Sequence, residues 1–148
     1  MDNRFEVFTY LIAKLHKNIN KIKNKEMSKF NLKGIHVSII YYLVMYETLT
    51  ARELCEKCEE DKGTISRALH YLEHNNFVSC ESKYNKRYNS PFILTNYGKE
   101  AANEINLRIE NVLDEINEII DNNDRKKFYD YLINISDKLE KINNKTNK

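Results

Sequence analysis

A mostly α-helical chain, with one β-hairpin in a central lobe and long amphipathic helices on either side, is the fold class this sequence predicts. Three observations predict it. Only three glycines and one proline occur in 148 residues, which leaves little material for sheets and tight turns. Apolar residues near both ends alternate spacings of three and four, the signature of helices with one narrow greasy stripe. In the middle, Asp61 to Asn76 winds into a helix with two unlike faces: Ile65, Ala68, Leu69 and Leu72 on one side, Gly63, Arg67, His70, Tyr71 and His74 on the other.

The first helix is expected from Phe5, Phe8, Ile12, Leu15, Ile19 and Ile22, a heptad seam. After it, Gly34 precedes a short buried helix over Ile35–Tyr46, with Ile35, Ile39, Ile40, Leu43 and Val44 as its apolar face. Thr50-Ala-Arg-Glu53 reads as a capping box, the threonine bonding forward and the glutamate reaching back. It opens a helix of about two turns whose core face is Ala51, Leu54, Cys55 and Cys58. A connection of three residues, Glu59-Glu60-Asp61, leads to the two-faced helix, with Asp61 as its N-cap and Asn75-Asn76 suited to the left-handed turn that ends it. Short helix, tight turn and second helix make helix-turn-helix spacing.

The β-leaning runs Phe77–Ser82 and Phe92–Leu94 then predict a hairpin, joined by the polar, basic stretch Lys83–Pro91. Beside a helix-turn-helix, such a hairpin is a wing, and Lys83, Lys86 and Arg87 on its tip are expected to reach phosphates or a minor groove. Thr95 is expected to cap a long acidic helix carrying Ile105, Ile109, Val112, Ile116 and Ile119. A break at Asp121-Asn-Asn-Asp124, with Asp124 as candidate cap and Arg125-Lys126-Lys127 an electrostatically poor first turn, precedes the last helix. Its seam is Phe128, Leu132, Ile135, Leu139 and Ile142.

Composition narrows the function. No apolar run approaches the ~20 residues of a membrane span, and MDNRFEVF has no basic segment followed by an apolar one, so a cytoplasmic location is expected. Three cysteines argue for reduced thiols. The net charge of +2 is segregated: residues 14–33 carry seven Lys against one Glu, and residues 99–124 two positive charges against eight negative. A basic segment near a groove-reading helix adds salt-sensitive phosphate affinity. No phosphate-cradling GxxxxGK[ST] or GxGxxG run occurs, nor HExxH, so no enzyme chemistry and no cofactor is expected. Cys55-Glu-Lys-Cys58 and the pair His70, His74 each fall short of a metal site, and none is assigned. Tyr10, Tyr41, Tyr42 and Tyr46 are read as packing with wet hydroxyls, with an effector pocket as the competing reading.

The run Leu49-Thr-Ala-Arg-Glu-Leu54, the run Asp61-Lys-Gly-Thr-Ile-Ser-Arg-Ala-Leu-His-Tyr-Leu-Glu73, the hairpin and Leu94-Thr-Asn-Tyr-Gly98 resemble the MarR family of bacterial transcriptional regulators. The resemblance covers roughly residues 30–100, and the flanking helices agree in order and length. It implies one winged helix-turn-helix domain over 1–148, with a DNA-binding lobe at 31–97 and dimerisation helices at 1–30 and 98–148. It implies a homodimer on a pseudo-palindromic double-stranded DNA operator, held through Phe5, Phe8, Ile12 and Leu15 and through Ile116, Ile119, Phe128, Leu132, Ile135 and Leu139. It further implies that a small-molecule effector, where one is used, binds between the dimer helices and the lobe. Two departures stand out: Lys86-Arg87-Tyr88 replaces the wing's usual Asp followed by Arg, and Glu59-Glu60 replaces a Gly and an aliphatic residue.

The expected function is therefore a sequence-specific DNA-binding regulator, a repressor by promoter occlusion. Gly63, Thr64, Ser66, Arg67 and Tyr71 are candidate base readers, and Lys62, His70, Lys83, Lys86 and Arg87 candidate phosphate contacts. Two alternatives stand beside it: a protein-binding adaptor on the same scaffold, and a thiol or metal sensor using Cys55 and Cys58.

Overall fold

The computed structural model describes residues 3–80 and 89–146. Its contacts divide the chain into two compact units, Met1–Arg108 and Ile109–Lys148. The first unit opens with helix α1, Arg4–Glu26, which buries none of its residues; the apolar seam read from the sequence lies in solvent, from Phe5 at 78% exposure to Phe8 at 37%. Only where α1 ends does the chain dive inward, at the fully buried Met27. A 3-10 turn over Ser28–Phe30 follows and stops at Asn31 in the left-handed conformation.

Helix α2, Gly34–Tyr46, buries His36, Val37, Ile39, Ile40 and Leu43. This corrects the expected face at one end: Val44 is 55% exposed, and His36 and Val37 take the buried positions. Strand β1, Thr48–Thr50, was not expected, because three residues carry no alternation long enough to read. It exists by pairing with β3, Pro91–Leu94, in register Leu49 to Phe92. With β2, Val78–Cys80, the order is β1-β3-β2, all antiparallel, and Pro91 begins its strand, where its missing N–H costs nothing. Leu49, Val78, Phe92 and Leu94 turn to the buried face, against the helices of the lobe.

Helix α3, Ala51–Cys58, is opened by the expected reciprocal cap: Glu53 N–H donates to Thr50 Oγ1 at 3.2 Å and Thr50 N–H to Glu53 Oε2 at 2.7 Å. Ala51 and Leu54 are buried, but Cys55 and Cys58 are only half-buried, since the short helix leaves its last turn at the lobe's edge. Helix α4, Lys62–His74, buries Ile65, Ala68, Leu69 and Leu72. Fully burying aliphatic side chains of this kind stabilises the lobe by about 1.5–3 kcal/mol each.

In a chain with three glycines, all four positive-φ residues among those described are Asn or Glu, and each closes a helix: Asn31, Glu47, Glu59 and Asn76. At Asn76 the closure is a Schellman motif, with Phe77 N–H donating to the Leu72 carbonyl at 2.8 Å and Asn76 N–H to Glu73 at 3.0 Å. Glu59 closes α3 with its own N–H and that of Glu60 both on the Cys55 carbonyl, the latter at 3.1 Å.

Helix α5, Asn96–Asn117, starts as expected on Thr95, whose Oγ1 accepts from Gly98 N–H at 2.9 Å. Gly98 has no alternative: a Cβ there would lie 1.9 Å from the Phe77 carbonyl oxygen. Further along, Glu104 joins Lys29 at 2.7 Å and Arg108 at 3.1 Å, while Arg108 also meets Glu26 at 3.3 Å. These bonds, Lys29 first, hold the Glu104 carboxyl below the usual range. Lys29 is thus engaged by Glu104, which narrows the basic segment expected to face phosphates.

In the second unit α5 ends at Asn117, short of Ile119, which sits in the turn at 82% exposure. Helix α6, Asn122–Thr146, is capped by Asp121 rather than the expected Asp124: Asp121 Oδ1 accepts from the N–H groups of Asn123 and Asp124 at 2.8 and 2.9 Å. The basic first turn is satisfied locally, Arg125 donating to Asn117 and Asn122 and Lys127 pairing with Asp124. A groove of about 210 Å³ in this unit is lined by Leu113, Ile116, Ile120 and Phe128, with Glu110 and Arg125. That is below the ~300–1,000 Å³ of small-molecule pockets, whereas a second groove of about 360 Å³, lined by Ile119, Ile120, Phe128 and Tyr131, falls inside that range.

Candidate nucleic-acid interface

The turn between α3 and α4 fixes how α4 is presented. Asp61, in extended conformation, caps α4 by accepting from Thr64 N–H at 2.9 Å through Oδ1. Its other oxygen, Oδ2, accepts the Thr64 hydroxyl proton at 2.7 Å. The Thr64 hydroxyl, its one proton given to Asp61, accepts from Arg67 Nη2 at 3.2 Å. These bonds, those from Thr64 first, hold the Asp61 carboxyl below its ordinary range, with the Arg67 charge adding a smaller pull.

Gly63 leaves room for this cluster. A Cβ at that position would stand 3.0 Å from Asp61 Oδ1 and 3.2 Å from Arg67 Nη1, tighter than ordinary van der Waals contact. Arg67 and Ser66 are exposed one turn into the helix, and Lys62 is exposed at its positive end. His70 and His74 follow on the exposed flank, their rings near parallel with centroids 6.5 Å apart. Among the described residues no group of three or more His, Cys, Asp or Glu could hold a metal ion.

Tyr71 is placed differently from the other expected base readers. Its hydroxyl donates to the Asn31 carbonyl at 2.8 Å, and its ring lies parallel on His36 at 4.5 Å between centroids. His36 in turn accepts the Lys33 N–H through Nδ1 at 3.1 Å, which holds the ring neutral with its proton on Nε2. Burial, then the nearby Lys33 charge, lowers the His36 pKa below 6.5. Tyr71 therefore anchors α4 to the turn before α2, and its hydroxyl is occupied within the chain.

Sequence reasoning missed three participants. His36 gives no signal because a histidine on an apolar helix cannot be told from a solvent-facing one. Asn31 contributes only its carbonyl and left-handed turn, which the Asn-Leu-Lys-Gly run hints at weakly. Asp61 was legible as a cap but not as the far end of a link to Arg67. The wing residues Lys83, Lys86 and Arg87 lie outside the described residues.

Cys58 offers little reactivity. Burial pushes the Cys58 thiol up to about 11, with Glu60 and Cys55 adding to it. At neutral pH a thiol of that kind is thiolate in roughly one molecule in ten thousand.

The expected dimer contacts divide in the same way as their helices. Phe5, Phe8, Ile12 and Leu15 on α1, and Phe128, Ile135 and Leu139 on α6, are all between 37% and 78% exposed; Ile116 is 46% exposed and Leu132 half-buried. No described helix is long and apolar enough to cross a membrane.

A family model described as "Winged helix DNA-binding domain" matches residues 35–113, more than half of the chain. No curated protein matches by sequence. Among solved structures, Staphylococcus aureus MarR in complex with salicylate and kanamycin superposes with a TM-score of 0.84 at 15% identity, covering 95% of each chain. A MarR-family regulator from Neisseria meningitidis gives 0.81 at 17% identity over 99% of each chain. S. aureus MepR, solved with DNA, gives 0.79 at 13% identity over 89% of this chain and 97% of its own. The chain belongs to the winged-helix DNA-binding family, and its fold is that of the MarR-type regulators.

Proposed function

We propose that this chain is a sequence-specific, double-stranded-DNA-binding transcriptional regulator, with no catalytic role, that works in the cytoplasm as a homodimer and represses by occluding a pseudo-palindromic operator. The observation that carries the reading is α4. Its inner face is packed shut, while its outer face offers Lys62, Ser66, Arg67 and His70 with no carboxylate in its middle. Such a surface suits a major groove, where arginine can fork onto guanine and small hydroxyls can reach base or phosphate. Lys83, Lys86 and Arg87 are assigned to phosphate or minor-groove contact. Tyr71 is assigned to holding α4 in place.

The dimer is supported by the exposed apolar stripes of α1 and α6, since contiguous exposed apolar surface marks interaction sites. Two copies would set two α4 helices on half-sites about one helical turn, ~34–36 Å, apart. Release by a small aromatic acid belongs to the proposal as well, by analogy with the salicylate carried by S. aureus MarR. The thiol-sensor reading is disfavoured by the raised Cys58 pKa.

Selection of bound duplexes from random-sequence DNA tests the proposal. A two-fold-related consensus is expected, and enrichment of no sequence overturns it. On the selected duplex, Arg67→Ala is expected to cost about 1–3 kcal/mol and to blur preference at one base pair per half-site. An equal loss on random DNA would remove Arg67 from the base readers.

A further inference from the structure

We propose that Asp61 and Thr64 are positioning residues for Arg67: a relay of two hydrogen bonds running from the cap of α4 fixes the direction of the guanidinium, and Gly63 supplies the space it occupies. This rests on the DNA-reading role proposed for α4. The chemistry permits only one direction of bonding. The Thr64 hydroxyl has one proton and spends it on Asp61 Oδ2 at 2.7 Å, so towards Arg67 it can only accept. Asp61 cannot turn away, because its Oδ1 is held by the Thr64 N–H at 2.9 Å. The Arg67 contact, at 3.2 Å, uses one of five guanidinium N–H groups and leaves the rest for a base edge.

Two consequences follow for binding. An exposed arginine held in one geometry before DNA arrives loses less rotamer freedom on contact, which favours a directional guanine bond over a diffuse phosphate one. The Asp61 carboxylate, exposed on the DNA side of the cap, also repels phosphates. Non-specific binding consists of phosphate contacts. Asp61 therefore weakens it while helping the base contact, and widens the gap between right and wrong DNA.

The test measures affinity and salt slope for two duplexes, one selected by the wild-type protein from random-sequence DNA and one of equal length and scrambled sequence. Thr64→Val, which keeps side-chain shape and drops the hydroxyl, is expected to shrink the selected-to-scrambled affinity ratio about tenfold, and Thr64→Ser to restore it. Asp61→Asn keeps a capping oxygen; it is expected to tighten binding to scrambled DNA and steepen its salt slope by up to about one. Gly63→Ala should reproduce the Thr64→Val loss by displacing Arg67. Because Thr64 could also touch DNA itself, the cycle with Arg67→Ala decides: once Arg67 is gone, Thr64→Val should have no further effect on the ratio. Additive losses, or an unchanged ratio in Thr64→Val with wild-type circular dichroism and melting, overturn the relay while leaving the DNA-reading role standing. A wild-type protein that selects no sequence overturns both.

Discussion

Helices α4 and α1 are both amphipathic, yet they stand at opposite ends of the molecule's packing. The inner face of α4 is closed by its own chain, with Ile65 and Leu72 at zero exposure and Tyr71 tied to Asn31 forty residues away. The seam of α1 has the more regular heptad and buries nothing. The seam of α6 is likewise largely exposed. A stripe is a statement about what a helix needs, and the contacts within a chain decide whether the need is met there. Where it is not met, ~25 cal/mol per Å² of apolar surface goes unrealised within the chain.

The largest effect expected on the closed side of this comparison is at Gly98. A methyl group forced to within 1.9 Å of the Phe77 carbonyl oxygen requires the start of α5 to move off Phe77 and Leu94. Gly98→Ala should cost about 3 kcal/mol or more, read as a fall in Tm, even though alanine is the better helix former. A Tm within a degree or two of wild type would show that the lobe is far looser than its burial implies.

On the open side, Ile12→Asp combined with Leu139→Asp should convert dimer to monomer, read by sedimentation, with a loss of about 2–5 kcal/mol in association. The far-ultraviolet helical signal and the burial of Leu72 should survive. Persistence of the dimer would place the interface elsewhere.

A smaller and opposite effect is expected at the turn before α4. Glu59 holds φ at 53°, a region where a β-carbon is penalised, and its side chain is exposed. Glu59→Gly should stabilise by about 0.5–1 kcal/mol, the relief of strain exceeding the added freedom of the unfolded chain. Chemical denaturation measures it, and a destabilised variant would mean that Glu59 makes a contact worth more than its strain.

The smallest is a pH dependence. The folded chain keeps His36 neutral below 6.5, where the unfolded chain takes up a proton. Stability is therefore complete above about pH 6.5 and declines as pH falls below it. That window lies above the one in which Glu53, Asp61 and Glu104, all with lowered pKa values, lose their contributions on protonation. His36→Gln can keep the bond to the Lys33 N–H, as glutamine does at this position of a capping box, and should flatten the decline between pH 6.5 and 5. An unchanged slope would assign it to another group.

Much of the lobe was legible because its rules are local. A threonine three residues before a glutamate, an aspartate before a two-faced helix and an asparagine after it each act within one turn of backbone, and Thr50, Asp61 and Asn76 behave as their neighbours dictate. The misreadings are where a local rule had two candidates or where the partner was distant. Asp121 and Asp124 both could cap α6, and the backbone's entry into the helix chose the first. Val44 fits the helical period of α2 as well as Val37 does, but only Val37 faces the lobe.

By itself the sequence determined the helices, the caps of α3, α4 and α5, the split face of α4 and the outward placement of Lys62, Ser66, Arg67 and His70, because a periodicity of 3.6 residues and a capping oxygen need nothing beyond their own segment. The tertiary structure alone decided that Thr48–Thr50 is a strand, that His36 and Tyr71 stack, that Gly98 must lack a side chain and that Arg67 rests on Thr64. Each of those depends on atoms brought together from separate segments or on the particular rotamers of neighbours, and the order of residues along a chain does not encode a distance until the chain has folded.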